Sequence, residues 1–232
     1  MLKIIAEIGI NHNGNIHQAY ELIRQAHIGG ADCVKLQLYS SKLLFGDDSR
    51  TKYELSYKQI EGLKSLCDTL HIELFASIFD EERLQWCEDI GVDRYKIASR
   101  TYKYDFELVE KVIDIGKPTY ISLGMAYDRP LIFKPNVIYF NCVSKYPTLY
   151  NELEPTDFIF DDDILGWSDH TLGISASLLA ISRGAQYIEK HFTMNKSMSI
   201  HNDHICSMTL SELQVLSTYG RELWALRNFL KF

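Results

Sequence analysis

Residues 17–39 read HQAYELIRQAHIGGADCVKLQLY, and the fold turns on how this stretch divides. HQAYELIRQAHIGG has the character of a helix and stops on glycine, the residue that most readily closes a helix in the left-handed conformation. CVKLQLY is a run of strand length, apolar apart from Lys35 and Gln37, as expected of a parallel strand buried on both faces. A helix, a glycine stop and a buried strand form the repeating unit of an α/β protein.

The same alternation continues on both sides. KIIAEIG precedes the unit as a strand; SYKQIEGLKSLCDTLH (helix), ELFASIF (strand) and DEERLQWCEDIG (helix) follow it. The last of these opens on acidic residues and ends on glycine, matching the helix dipole at both ends. Strands are expected at about 4–8, 33–38, 73–78, 94–98, 118–122, 137–142, 163–167 and 186–191. Eight βα units in 232 residues specify a compact (β/α)8 TIM barrel. A doubly wound open sheet is the rival, but polar residues at nearly every C-terminal strand end favour closure. The segments AYDRPLIFKP and YPTLYNELEPTDF, interrupted by proline, predict shortened helices after strands five and six. No internal repeat, low-complexity segment or linker divides residues 1–232, so one barrel domain is expected.

Apolar residues make up 46% and charged residues 24% of the chain, the balance of a soluble globular protein. The net charge of −7, with no run of lysine or arginine, argues against nucleic acid or an anionic membrane as partner. It leaves room for an anionic small molecule met by a local positive site. MLK leads directly into the first strand, with no signal-peptide pattern and no stretch long enough to span a bilayer, so the cytoplasm is the expected compartment. Five dispersed cysteines without CxxC spacing read as reduced, mostly buried thiols.

In a barrel the C-terminal strand ends converge on one catalytic face. Read in order, those ends supply Glu7, Asn11 and His12; Lys35 and Gln37; Ser77; Lys96 and Ser99. Round the rest of the face come Ser122; Asn141 and Ser144; Ser168, Asp169 and His170; Glu189 and His191. Two inward lysines with a ring of hydroxyls suit a phosphorylated or carboxylated anion, although a single lysine near a strand end is more often solvated. Glu7 stands out, because a carboxylate inside an apolar strand is costly unless paired or bound. His170 and His191, on adjacent strands, suit either a shared metal ion or structural hydrogen bonds. His17, His27 and His71 fall on helices and read as surface residues. The run Asp161, Asp162, Asp163 could meet a cation, but a solvated loop is the simpler reading.

Taken together, AEIGINHNGN (6–15), VKLQ (34–37), YKIAS (95–99), ISLGM (121–125), SKYPT (144–148), GWSDHT (166–171), IEKHFT (188–193) and NDHICSM (202–208) resemble the N-acetylneuraminate (sialic acid) synthase family. The resemblance implies a (β/α)8 barrel that condenses phosphoenolpyruvate with N-acetylmannosamine or a related amino-sugar aldehyde. The product is a 2-keto sugar acid, with phosphate released by C–O cleavage. It implies a divalent metal, Mn2+ or Mg2+, held by His170 and His191, and Glu7 as the catalytic carboxylate. Lys35 and Lys96 then correspond to the enolpyruvate-binding lysines, with Ser77, Ser99, Ser122 and Ser168 around the donor's phosphate and carboxylate. Gln37, Ser144, Tyr146 and Asp203 fall on the side of the sugar and metal-bound water.

The chain departs from the family pattern at several points. Asn141 replaces a histidine, Ser144 an asparagine, and His201-Asn202 a glycine-proline. Ala98-Ser99-Arg100-Thr101 replaces glycine-serine-glycine-glutamate, so a sugar-side glutamate is lost. Bacterial members continue into a C-terminal antifreeze-like domain; here the sequence stops at Phe232. A homodimer is expected by analogy, and a separate capping protein could supply the missing domain. Two other readings stay open: a non-catalytic barrel serving a surface-glycan pathway, and an enolpyruvate-using enzyme with another aldehyde acceptor.

Overall fold

The computed structural model describes residues 1–198 and 203–230. Eight strands close a parallel barrel in sequential order: β1 (Lys3–Gly9), β2 (Cys33–Leu38), β3 (Glu73–Ile78), β4 (Tyr95–Ile97), β5 (Thr119–Ser122), β6 (Val137–Cys142), β7 (Ile164–Asp169) and β8 (Tyr187–His191). The helices are α1 (Ile16–Ile28), α2 (Ser41–Phe45), α3 (Tyr57–Leu70), α4 (Glu81–Asp89) and α5 (Ser99–Tyr104). They continue as α6 (Phe106–Asp114), α7 (Ser175–Arg183), α8 (Asp203–Cys206) and α9 (Leu210–Leu230). The expected TIM barrel is therefore the fold, and β2, β3 and β6 begin and end where the sequence placed them.

Local chemistry sets the helix ends. The Asp80 carboxylate accepts from Arg83 N at 2.9 Å and the Asp105 carboxylate from Leu108 N at 3.2 Å. Each such cap stabilises its helix by about 1 kcal/mol. In α6, Leu108, Val109, Val112 and Ile113 form one buried stripe against the barrel. Each contributes about 1.5–3 kcal/mol by leaving water. After β5 the structure corrects the expectation of a short helix: no α-helix forms between Ser122 and Val137. Pro130 and Pro135 withhold the N–H groups a helix would need. Side chains hold the segment instead, with Tyr102 donating to the Pro130 carbonyl at 2.8 Å and Asn136 to the Ile113 carbonyl at 2.9 Å. After β6 the helix is reduced to two 3-10 turns, Tyr150–Glu152 and Pro155–Phe158.

Strand alternation sorts the side chains into two populations. Outward residues such as Ile4, Ala6, Ile8, Val34 and Leu36 pack under the helices. Inward, Ile5, Cys33, Phe75, Tyr120 and Phe140 fill the middle of the barrel. Below them Arg94 pairs with Glu73, Nη2 to Oε2 at 2.8 Å. This packed plug leaves the C-terminal mouth as the place where polar inward residues collect. All five cysteines are buried, and among the described residues none forms a disulfide. Among the described residues, no helix is long and apolar enough to cross a membrane.

Candidate active site

Register sets the first contacts. Glu7 on β1 pairs with Lys35 on β2 and with His191 on β8, so all three stand at one level of the barrel. Lys35 Nζ lies 2.8 Å from Glu7 Oε2, 3.0 Å from Glu189 Oε2 and 3.0 Å from Ser77 Oγ. Lys96 Nζ lies 3.3 Å from Glu189 Oε2 and donates to Ser122 Oγ at 2.6 Å. Ser168 Oγ donates to the other Glu189 oxygen at 2.8 Å. Two lysines, two glutamates and three serines thus form one buried cluster, with Lys96 also 4.2 Å above the Phe140 ring.

Burial lowers the Lys35 pKa to about 8, the attraction of Glu189 offsetting only part of the desolvation cost. For Glu189, burial pushes the pKa up but is overcome by Lys35, Lys96 and the Ser168 hydroxyl, leaving it well below the usual carboxylate range. Glu189 is therefore the anion shared by both lysines. Glu7 meets Lys35 through Oε2, and among the described residues its buried Oε1 has no hydrogen-bond partner.

His170 and His191 stand beside this cluster with ring centroids 5.9 Å apart, and Tyr146 packs on both, 4.1 Å from His170 and 5.8 Å from His191. His170 Nδ1 lies 2.7 Å from the Val143 carbonyl oxygen and so donates to it, which leaves Nε2 as the unprotonated nitrogen. Burial, reinforced by His191, lowers the His170 pKa to about 4, so the ring is neutral at pH 7.

This donor set fits a divalent transition metal held by two nitrogens with its remaining positions open. The charge cluster agrees: Glu7 and Glu189 formally cancel Lys35 and Lys96, so a cation would balance an incoming anionic substrate. Among the described residues no group of three or more His, Cys, Asp or Glu side chains is placed to hold a metal ion.

The residues singled out from sequence converge on two connected spaces. A deep pocket of about 50 Å³ is lined by Glu7, Lys35, Ser77, Lys96, Ser122, Ser168, His170 and Glu189, among others. Above it an outer chamber of about 550 Å³ is lined by Ser144 and Asp203. Gln37, Ser99, Tyr146 and His191 line both spaces, and Ser99 and Ser144 share a hydrogen bond of 2.9 Å. Four other strand-end residues serve the fold. Asn11 donates to the Phe192 carbonyl at 2.8 Å and to Ser207 Oγ at 2.9 Å. His12 is buried, with Nδ1 accepting from Gly14 N at 3.2 Å. Asn141 and Asp169 occupy outward positions of β6 and β7, and Asn141 donates to the carbonyls of Asp157 and Ile159. His17, His27 and His71 are exposed, as are Asp161, Asp162 and Asp163. His201 and Asn202 lie outside the described residues.

Two features escaped the sequence reading. Glu189 was placed at a strand end but given no part, although it lies two residues before His191 and must share its face. Arg50 and Phe45, on the outer chamber wall, come from the β2–α3 connection, where Arg100, noted in the sequence only as a departure from the family pattern, joins them from α5. The length of that connection was the available signal.

The chain is 33% identical over 257 residues to N,N'-diacetyllegionaminic acid synthase of Legionella pneumophila, covering 92% of this chain and 69% of that one. It is 31% identical over 249 residues to N-acetylneuraminate-9-phosphate synthase of Mus musculus, covering 92% and 67%. Among solved structures it resembles the N-acetylneuraminic acid (sialic acid) synthetase of Leptospira borgpetersenii in complex with citrate, with a TM-score of 0.85 and 28% identity, covering 97% of this chain and 84% of that one. The model of the NeuB family matches residues 22–228. With nearly the whole barrel inside that match, the chain belongs to the NeuB family of sialic acid synthase-like enzymes.

Proposed function

We propose that this chain condenses phosphoenolpyruvate with an amino-sugar aldehyde, N-acetylmannosamine or a relative, to give a 2-keto sugar acid and inorganic phosphate. The observation that carries the reading is the buried cluster of Glu7, Lys35, Glu189 and Lys96 beside two histidines. A structural barrel has no use for four charged groups desolvated together, whose assembly costs stability unless a ligand repays it. That argues against the non-catalytic reading.

In the proposed reaction Lys35 and Lys96 bind the donor's anionic groups, with Ser77, Ser122 and Ser168 orienting the ammonium and carboxylate groups that receive it. His170 and His191 hold Mn2+ or Mg2+, which when bound supplies Lewis acidity toward the sugar aldehyde. The donor's C=C electrons form the new bond from its methylene carbon to the aldehyde carbon. Water then adds to the donor's C2, Glu7 Oε1 taking its proton and passing it to the former aldehyde oxygen. The tetrahedral C2 collapses to the ketone as its bond to the phosphate oxygen breaks, and phosphate leaves with the remaining hydroxyl proton. Gln37, Ser99, Ser144, Tyr146 and Asp203 border the space for the sugar.

The test is phosphate release from phosphoenolpyruvate with Mn2+ across N-acylated and plain hexose acceptors, alongside His170→Ala and Glu7→Ala. Acceptor-dependent release that both variants abolish is the expected result. Folded protein that binds Mn2+ but releases no phosphate with any acceptor would overturn the reading. Product analysis separates an amino-sugar acceptor from another aldehyde.

A further inference from the structure

Asp203 reaches the outer chamber from α8, a helix of four residues that cannot hold a side chain in place by its own hydrogen bonds. The next residue does so. His204 is fully buried, with Nε2 2.9 Å from Asn13 Oδ1 and Nδ1 2.8 Å from Thr193 Oγ1. Asn13 Nδ2 donates to Gln18 Oε1 at 3.2 Å, which turns Oδ1 toward the histidine as an acceptor. His204 Nε2–H therefore donates to Asn13, and Nδ1 accepts from the Thr193 hydroxyl. One imidazole thus joins α8 to the β1–α1 turn, 191 positions away in the chain, and to the segment just past His191.

A second set of bonds runs beside the first. Asn11, in the same turn, donates to Ser207 Oγ at 2.9 Å, and Ser207 Oγ donates to the Asp203 carbonyl at 2.6 Å. Asn13 sits at φ 57°, a left-handed conformation that asparagine tolerates better than most residues. The turn leads directly from β1, where the Glu7 carbonyl accepts from Phe192 N at 2.7 Å, and Met208 N donates to the His191 carbonyl at 2.7 Å. Asp203 is therefore tied to the two strands that carry Glu7 and His191. Bonds buried this deeply resist opening, because water does not replace either partner.

We propose that His204 is a positioning residue for the acceptor: through Asn13 and Thr193 it locks α8 so that Asp203 presents its carboxylate to the sugar. The inference rests on the synthase reading of the site. His204 lines neither the deep pocket nor the outer chamber, so it acts through its neighbour and not on the substrate. The donor side does not depend on it, since the lysines and serines of the deep pocket come from β2, β3, β4, β5 and β7.

Steady-state kinetics with Mn2+, phosphoenolpyruvate and N-acetylmannosamine would compare wild type, His204→Ala, Asp203→Ala and the double variant. His204→Ala should lower kcat/KM for the acceptor by about tenfold to a hundredfold, the scale of a misplacement near 1 Å, and leave the KM for phosphoenolpyruvate unchanged. In the Asp203→Ala background the same change should cost nothing further, because no carboxylate is left to position. His204→Gln, whose amide nitrogen can stand in for Nε2, should restore part of the activity. Asn13→Gly, which keeps the left-handed backbone and removes the amide, should repeat the loss and carries the same cycle if His204→Ala does not fold. Additive losses in the double variant, or equal losses toward donor and acceptor, would make His204 a purely structural residue and overturn the proposal. Amide hydrogen exchange separates this failure from that of the synthase reading. Faster exchange at residues 11–15 and 203–208 in His204→Ala, in a protein that releases no phosphate, keeps the lock and overturns the synthase reading. Phosphate release with unchanged exchange and unchanged acceptor kcat/KM overturns the lock and keeps the synthase.

Discussion

Lys190 Nζ lies 3.2 Å from Asp169 Oδ2, and both side chains are fully buried. Each residue immediately precedes one of the two site histidines. Strand alternation therefore turns Asp169 and Lys190 to the outside of the barrel wall and His170 and His191 to the inside. Asp169 accepts further bonds from Thr171 N at 2.8 Å, Thr171 Oγ1 at 2.7 Å and Ser177 Oγ at 2.5 Å, while Lys190 donates to the Thr171 carbonyl at 2.8 Å. The ion pair ties β7 to β8 directly behind the histidines and fixes their spacing.

Replacing one member of that pair strands the other's charge in the wall. Asp169→Asn should destabilise the protein by about 3–5 kcal/mol, the cost of an uncompensated buried charge. The double variant Asp169→Asn, Lys190→Met should be less destabilised than the sum of the singles, because it removes both charges. Urea unfolding of the four proteins checks this. Simple additivity would mean that the two charges act independently.

Under the proposed function, Lys35 sets a pH limit on donor binding. Its pKa, lowered to about 8 by burial, means that the free enzyme loses this positive charge as pH rises through that value. The kcat/KM for phosphoenolpyruvate should therefore fall above about pH 8. The bound anion raises the lysine pKa again, so kcat should stay level to higher pH. Stability moves oppositely: folding disfavours the protonated lysine, so this contribution improves between about pH 8 and the ordinary lysine value of 10.5. A kcat/KM profile flat to pH 10 would contradict the assignment.

Gly166 tests how tightly the barrel plug supports the site. A Cβ there would lie 2.3–2.5 Å from three atoms of the Phe140 ring, which is itself packed 5.0 Å from Tyr120 and 5.8 Å from Tyr187. Gly166→Ala should cost about 1–3 kcal/mol by overpacking. It should also raise the KM for phosphoenolpyruvate, because the displaced ring carries Lys96 on its face. Thermal melting and donor kinetics read the two effects; a neutral substitution would show that the ring has room to move.

How far the sequence reached can be followed residue by residue. Buried parallel strands are apolar on both faces whatever they pack against, so β2, β3 and β6 were legible to the residue and the number of strands specified closure. The polar groups at their ends were legible for the same reason, since a carboxylate such as Glu7 does not belong in an apolar strand without a partner. Shortened connections after β5 and β6 followed from proline, though the complete loss of helix after β5 did not.

What stayed hidden was which polar groups meet. Glu189 joins Lys35 and Lys96 only because closure brings β8 beside β1, and Asn141 and Asp169 leave the site only because their positions on the strands face outward. The guanidiniums of Arg50 and Arg100 come together on Phe45, from segments whose local pattern carries no mark of a site. The sequence by itself determined the barrel and the chemistry at its mouth, because burial and strand period act over neighbouring residues. Only the tertiary structure decided the partners, because ion pairing between distant strands depends on register and closure, which no local stretch encodes.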